Sequence, residues 1–215
     1  MSTLCRGLLF VVTACITFLL FAGLNAQTRE PTPIAKLLEE VRSSFTLDGE
    51  RIPPEIFRDF GDGNLADSGP IWVTIDLRAA VGSNFYADEI KQNGAWVIQR
   101  KPDPNTMNGW QQASYKYIGA AENGLLLVLS GYNSGGTGDF TTLHLLSLDV
   151  APAFDSDGAV YERLNLTNLR SMSLGDRWDG EISIAKNMVK VVTTRDGPAD
   201  RSKTRKEVSF EARRP

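Results

Sequence analysis

From Pro70 onward the apolar residues of this 215-residue chain recur mostly at every second position, and that spacing constrains its fold more than any other feature. Successive side chains of a strand point to opposite faces, so period two means a strand buried on one side. Ile71, Val73, Ile75 and Leu77 alternate with Trp72, Thr74 and Asp76 in this way. Further strands are expected over 95–99, 115–119, 141–149, 161–166, 169–174, 181–185, 188–194 and 208–212. In the 141–149 segment, Leu143 and Leu145 fall on one face and His144, Leu146 and Leu148 on the other. Residues 125–129 are apolar without a break, which predicts a strand covered on both faces. The stretch 131–138, rich in glycine, reads as a long turn between two antiparallel strands, and Lys186-Asn187 as a two-residue hairpin turn.

Ahead of the strands the period is helical. Thr32 reads as an N-cap and Pro33 as the first helical residue, followed by Ile34, Leu37, Leu38, Val41 and Phe45 on one face. Glu39, Glu40 and Arg42 fall on the wet side of that helix. Asp48-Gly49 is a hairpin signal, and Pro53-Pro54 can open a short helix through Ile56, Phe57 and Phe60, stopped by the glycines at 61–63. The expected class is therefore mainly β: an antiparallel β-sandwich or open barrel with one N-terminal amphipathic helix. The helix is expected to supply part of the cover for the 125–129 strand. The partition is 1–26 leader, 27–69 helix, hairpin and linker, 70–194 β core, and 195–215 a basic segment ending in an edge strand.

The leader has the order of a secretory signal: Arg6, an apolar run over 8–23, then Leu24-Asn25-Ala26 before polar residues. An uncleaved anchor is the alternative, since the run is near the shortest bilayer span. Val12-Thr13-Ala14-Cys15 offers a third, acylated form. Each implies export, to a periplasm or the outside of the cell. Both cysteines, Cys5 and Cys15, lie in the leader, so the rest of the chain has no thiol chemistry and no disulfide. Only Arg6 is charged among residues 1–26, so removing them takes the formal net charge from −3 to −4. That balance argues against nucleic acid as a partner. The C-terminal segment is locally basic, with Arg195, Arg201, Lys203, Arg205, Lys206, Arg213 and Arg214 against four carboxylates, and could dock on an anionic envelope surface.

Candidate chemistry is sparse. His144 is the sole histidine and is expected to be satisfied by packing and one hydrogen bond. Around 131–135 asparagine stands where a serine nucleophile elbow needs serine, and strands rather than a strand and a helix flank it. The same glycines lack the lysine and helix of a phosphate loop. Asp155 and Asp157 before Gly158 resemble part of a calcium loop, without the ligand expected two residues earlier. Asp179 and Glu181 flank Gly180 beside Trp178 and are the carboxylate pair available for glycan hydrolysis. Trp72 and Trp96 fall in strands and are expected in the core. Trp110 and Trp178, with Asn133 and Asp139, are the candidates for stacking on a glycan and reading its hydroxyls, and an envelope protein is the other partner considered. Two loops, 78–94 with Asn84, Phe85 and Tyr86 and 101–112 with Asn105 and Asn108, are longer than connection requires. The expectation is an exported binding module without catalysis; a hydrolase using Asp179 and Glu181 is the alternative, and a structural envelope component the third reading.

Overall fold

In the computed structural model, residues 33–60, 64–65, 69–70, 72–82, 89–195 and 204–214 are described. The leader, Asn84, Phe85, Tyr86 and residues 196–203 of the basic segment lie outside them. The largest element is a curled, seven-stranded antiparallel half-barrel. Its strands run β5 (Thr74–Asp76), β11 (Val160–Asp176), β10 (Phe140–Phe154), β9 (Leu126–Asn133), β8 (Trp110–Ala120), β7 (Trp96–Pro102) and β6 (Ile90–Asn93) from edge to edge. From β6 to β11 the chain is an unbroken meander, each strand pairing with the next, while β5 stands at the far edge.

Each face of this sheet has its own cover. Over one lie α1 (Ile34–Ser44), the hairpin β1 (Thr46–Leu47) and β2 (Glu50–Arg51), α2 (Ile56–Asp59) and α3 (Leu77–Gly82). There Leu37, Val41, Phe45, Ile52, Ile56, Phe57 and Phe60 meet Val97, Tyr115, Leu126, Val128, Leu146, Leu148, Leu164 and Leu166. Over the other lies a second sheet of β12 (Glu181–Ala185), β13 (Met188–Arg195) and β14 (Thr204–Glu211), in that order. Ile182, Ile184, Val189, Val191 and Phe210 pack there against Leu127, Leu129, Leu143 and Leu145. A last pair, β3 (Asn64–Leu65) and β4 (Gly69–Pro70), forms a small separate ribbon. Residues 125–129 thus behave as their unbroken apolar character predicts: Leu126 and Val128 face the helices, and Leu125, Leu127 and Leu129 the second sheet.

Local chemistry explains most boundaries. Pro33, rather than Thr32, occupies the cap position of α1, and Phe45 ends the helix in the left-handed region at φ 55°. Glu40, assigned to the wet face, is half-buried and ties α1 to the first hairpin. Its Oε1 accepts from Thr46 Oγ1 (2.8 Å) and the Gly49 N–H (2.8 Å), and its Oε2 from the Asp48 N–H (3.0 Å). Of the strand expected from Ile71 through Leu77, Ile71 lies outside the described residues, the described part is strand only over Thr74–Asp76, and Leu77 opens a helix. Asp76 Oδ1 accepts from the N–H of Arg78 at 3.0 Å and of Ala79 at 3.4 Å, an N-cap that the Leu-Arg-Ala-Ala run then extends. Trp72 consequently lies outside any strand and is 55% exposed, whereas Trp96 packs into the second core. The two segments expected at 161–166 and 169–174 are one strand, β11, made continuous by bulges at Leu169 and Leu174. The basic segment enters the fold through β14, an edge strand whose Phe210 carries the Arg170 guanidinium 4.8 Å over its ring. Among the described residues no helix is long and apolar enough to cross a membrane.

Leu126→Ala and Leu127→Ala are each expected to cost about 3 kcal/mol, because both leave a cavity in a fully buried layer. Urea unfolding at pH 7 checks this. A half-exposed strand would give one large loss and one under about 1 kcal/mol.

Candidate functional site

The helical cover stops short of one end of the sheet. Where α2 passes over β8, β9 and β10 it leaves a cavity of about 330 Å³, lined by Pro54, Phe57, Arg58, Ala113, Ser130, Gly131, Tyr132, Phe140, Thr142 and His144. Pleating decides which side chains reach it: Ala113 on β8, Ser130 and Tyr132 on β9, and Phe140, Thr142 and His144 on β10 stand two apart on the face that carries the helices. Phe57, Tyr132 and the 56%-exposed Phe140 supply aromatic surface, and Ser130, Thr142 and His144 the polar floor.

His144 is almost wholly enclosed, with the Phe57 ring 5.2 Å and the Phe60 ring 6.0 Å from its own. It makes two hydrogen bonds to side chains, one more than its sequence context suggests. Nε2 lies 2.8 Å from Ser130 Oγ, toward the cavity, and Nδ1 lies 3.1 Å from Ser171 Oγ, behind it. Asn168 Nδ2 donates to the same Ser171 oxygen at 2.8 Å, and Ser130 Oγ reaches the Thr142 carbonyl at 3.4 Å. The Leu169 bulge makes this possible. Asn168 and Ser171 are three apart and would face opposite ways in a regular strand, but the extra residue returns both to the His144 side. Desolvation, which disfavours imidazolium, lowers the His144 pKa to about 4, and the nearby Asn168 side chain opposes it only in part.

A second polar system forms the rim. Arg58 lies with its guanidinium 4.8 Å over the Tyr132 ring and pairs with Glu55 at 3.3 Å. Tyr132 Oη donates to Gln111 Oε1 (3.0 Å), and Gln111 Nε2 donates to Asp103 Oδ2 (2.6 Å). The Asn105 N–H and Gln111 hold the Asp103 carboxyl below the usual carboxylate range. Behind the cavity, Gln99 is buried in register with Ala113; its Oε1 accepts from the Glu55 N–H at 3.2 Å, and its Nε2 has no protein partner.

The residues singled out by sequence do not gather here. Asn133 Oδ1 accepts from the Gly135 N–H at 2.8 Å and shapes the turn. The Gly135 carbonyl in turn accepts from the Asn108 N–H at 2.9 Å, and Asn108 Nδ2 donates to the Gly136 carbonyl, so the 101–112 loop locks onto the glycine-rich turn. Asp139 is exposed, its N–H bonded to Asp176 Oδ1 at 2.6 Å. Trp110 is half-buried under the Arg100 guanidinium, 4.7 Å from its ring. Trp178 packs into the second core with its indole N–H on Thr193 Oγ1 at 3.1 Å. Asp179 and Glu181 are both exposed, outside the cavity, on either side of a glycine where a Cβ would strike the Val192 carbonyl. Asp155 Oδ1 accepts from the N–H groups of Asp157 (3.0 Å) and Ala159 (2.8 Å), closing the β10–β11 hairpin, while Asp157 stands exposed. Among the described residues no three His, Cys, Asp or Glu side chains converge on one point.

Ser130, Ser171 and Asn168 carried no motif. Counting outward from the glycine-rich turn pairs Ser130 with Thr142, which sets Ser130 diagonal to His144, so that contact could have been found from register alone. No family model, curated protein or solved structure matches the chain.

The unfolded chain protonates its histidine near 6.5, and the folded chain only near 4. Stability from this group is therefore complete above about pH 6.5 and drains away as pH falls toward 4, by about 3 kcal/mol. Urea midpoints from pH 7.5 down to 4 should show that slope, and His144→Gln should flatten it.

Proposed function

We propose that this chain is an exported binding module that seats a small molecule with a flat apolar body and one hydrogen-bonding group between α2 and the end of the half-barrel. The observation that carries the reading is the cavity itself: about 330 Å³, with aromatic walls and a floor of two hydroxyls and a neutral imidazole. That volume is at the small end of ligand sites, and the mix of apolar wall with few fixed polar groups is what such sites use for affinity and orientation. Phe57, Tyr132 and Phe140 offer the stacking surface; Ser130 and Thr142 offer the polar end. Export rests on the order of Arg6, the apolar 8–23 run and Ala26.

Fluorescence titration with 1-anilinonaphthalene-8-sulfonate tests the reading, since an apolar enclosure brightens that probe. One saturable site is expected, at least about tenfold weaker in Thr142→Trp, where the indole fills the floor while circular dichroism stays unchanged. Equal binding by a folded Thr142→Trp protein would overturn it.

A further inference from the structure

We propose that Ser130 is a nucleophile for acyl transfer, with His144 as its general base and Ser171 and Asn168 as positioning residues. The class of substrate is an activated carboxylic ester with a compact apolar or aromatic acyl group. The reading rests on the cavity admitting a small molecule, and goes beyond binding to chemistry at its floor.

The geometry meets the requirement for an activated hydroxyl: nucleophile and base within hydrogen-bond reach, and the base itself oriented by a further group. Ser130 Oγ is 2.8 Å from His144 Nε2 and lines the cavity. With the ring proton on Nδ1, that nitrogen donates to Ser171 Oγ at 3.1 Å, and Nε2 is left to take the Ser130 proton. Asn168 Nδ2 donates to that hydroxyl at 2.8 Å and helps to fix it. No chain motif announces the pair, because its members come from neighbouring strands rather than from a strand-to-helix turn.

In the reaction Ser130 Oγ adds to the ester carbonyl carbon as its proton passes to His144 Nε2. Collapse breaks the bond to the alkoxy or phenoxy leaving group, which takes that proton, and leaves an ester on Ser130. Water, deprotonated by the same nitrogen, then splits that ester into the free acid and the restored hydroxyl. The third member here is a hydroxyl, not a carboxylate, so the imidazolium formed in each step is stabilised weakly and turnover is expected to be slow. Burial keeps the imidazole neutral at physiological pH, which leaves the base in its working form. Around it stand Phe57 and Phe60 from the α2 segment, Ser130 from β9, and Ser171 and Asn168 from β11; the charged side chain lining the same cavity is Arg58.

The test is covalent labelling of the full chain with phenylmethylsulfonyl fluoride, whose benzyl group suits the aromatic wall, followed by intact mass and peptide mapping. A single adduct on Ser130 is expected, absent from Ser130→Ala and about 100-fold slower in His144→Gln. Its rate should rise through about pH 4 and level off toward neutrality. Should His144→Gln not fold, Ser171→Ala is expected to slow labelling about tenfold and shift that pH midpoint, and Ser171→Thr to restore both. Absence of a Ser130 adduct overturns the proposal, as does one formed equally fast in folded His144→Gln or in both Ser171 variants. Displacement of the anilinonaphthalene probe by the sulfonyl fluoride without an adduct would refute the nucleophile and leave the binding reading standing.

Discussion

Burial of β9 and β10 on both faces is the constraint from which the other parts of this fold follow. A strand that is apolar on each side cannot end a two-layer structure; it needs a layer above and another below. Leu126 and Val128 require one cover, Leu127 and Leu129 another, and Leu143 and Leu145 against Leu146 and Leu148 repeat the demand on the neighbouring strand. The chain answers with segments from its two ends. Residues before the meander supply helices to one face, and residues after it supply a small sheet to the other. Among the described residues neither cover has a layer beyond it, so α1 and β12 are amphipathic, and the runs buried on both faces are confined to the central strands.

The His144 cluster is intelligible only in that setting. A polar group enclosed against Phe57 and Phe60 is costly unless it is hydrogen-bonded, and hydroxyls on both flanking strands meet the need. The arrangement uses pairing geometry and no loop. His144 sits opposite Ser171 on one side and diagonal to Ser130 on the other, so its two ring nitrogens are served by two different strands. The bulge at Leu169 adds Asn168 without breaking the ladder beyond it.

The layers were legible from periodicity, since each depends on short-range patterning. Unbroken 125–129 announced a strand with two covers, and Ile34, Leu37, Val41 and Phe45 announced the helix that supplies one of them. The rest of the fold depends on competition between local signals or on strand register. Alternation from Ile71 to Leu77 is real, yet Asp76 offers its carboxylate to two N–H groups and the Ala pair after it favours helix, so local capping outweighs the pattern. The half-buried Glu40 looked solvated because its partners are the backbone of a turn eight and nine residues away. The site was the least legible part. Carboxylates and tryptophans drew attention for their chemistry, whereas Ser130 and Ser171 are ordinary residues whose meaning comes from register, and register shifts at bulges that no periodicity marks.

A three-layer arrangement also accounts for where the cavity lies. The cover over the helical face is assembled from short elements, and α2 spans only Ile56–Asp59, following two prolines that fix its entry. Beyond it the strands β9 and β10 run on toward the Gly135 turn with small or polar residues, Ser130, Gly131 and Thr142, in place of leucine. The switch from aliphatic side chain to hydroxyl along β9, between Val128 and Ser130, coincides with the end of the helical roof. A purely structural sheet end could reach solvent at that point with exposed polar side chains. Here the aromatic side chains of Phe57, Tyr132 and Phe140 rise around the hydroxyls instead, so the polar floor stays enclosed and one side remains open. Enclosure strengthens each hydrogen bond made inside and keeps the imidazole uncharged, while the open side leaves the hydroxyls of the floor within reach of solvent.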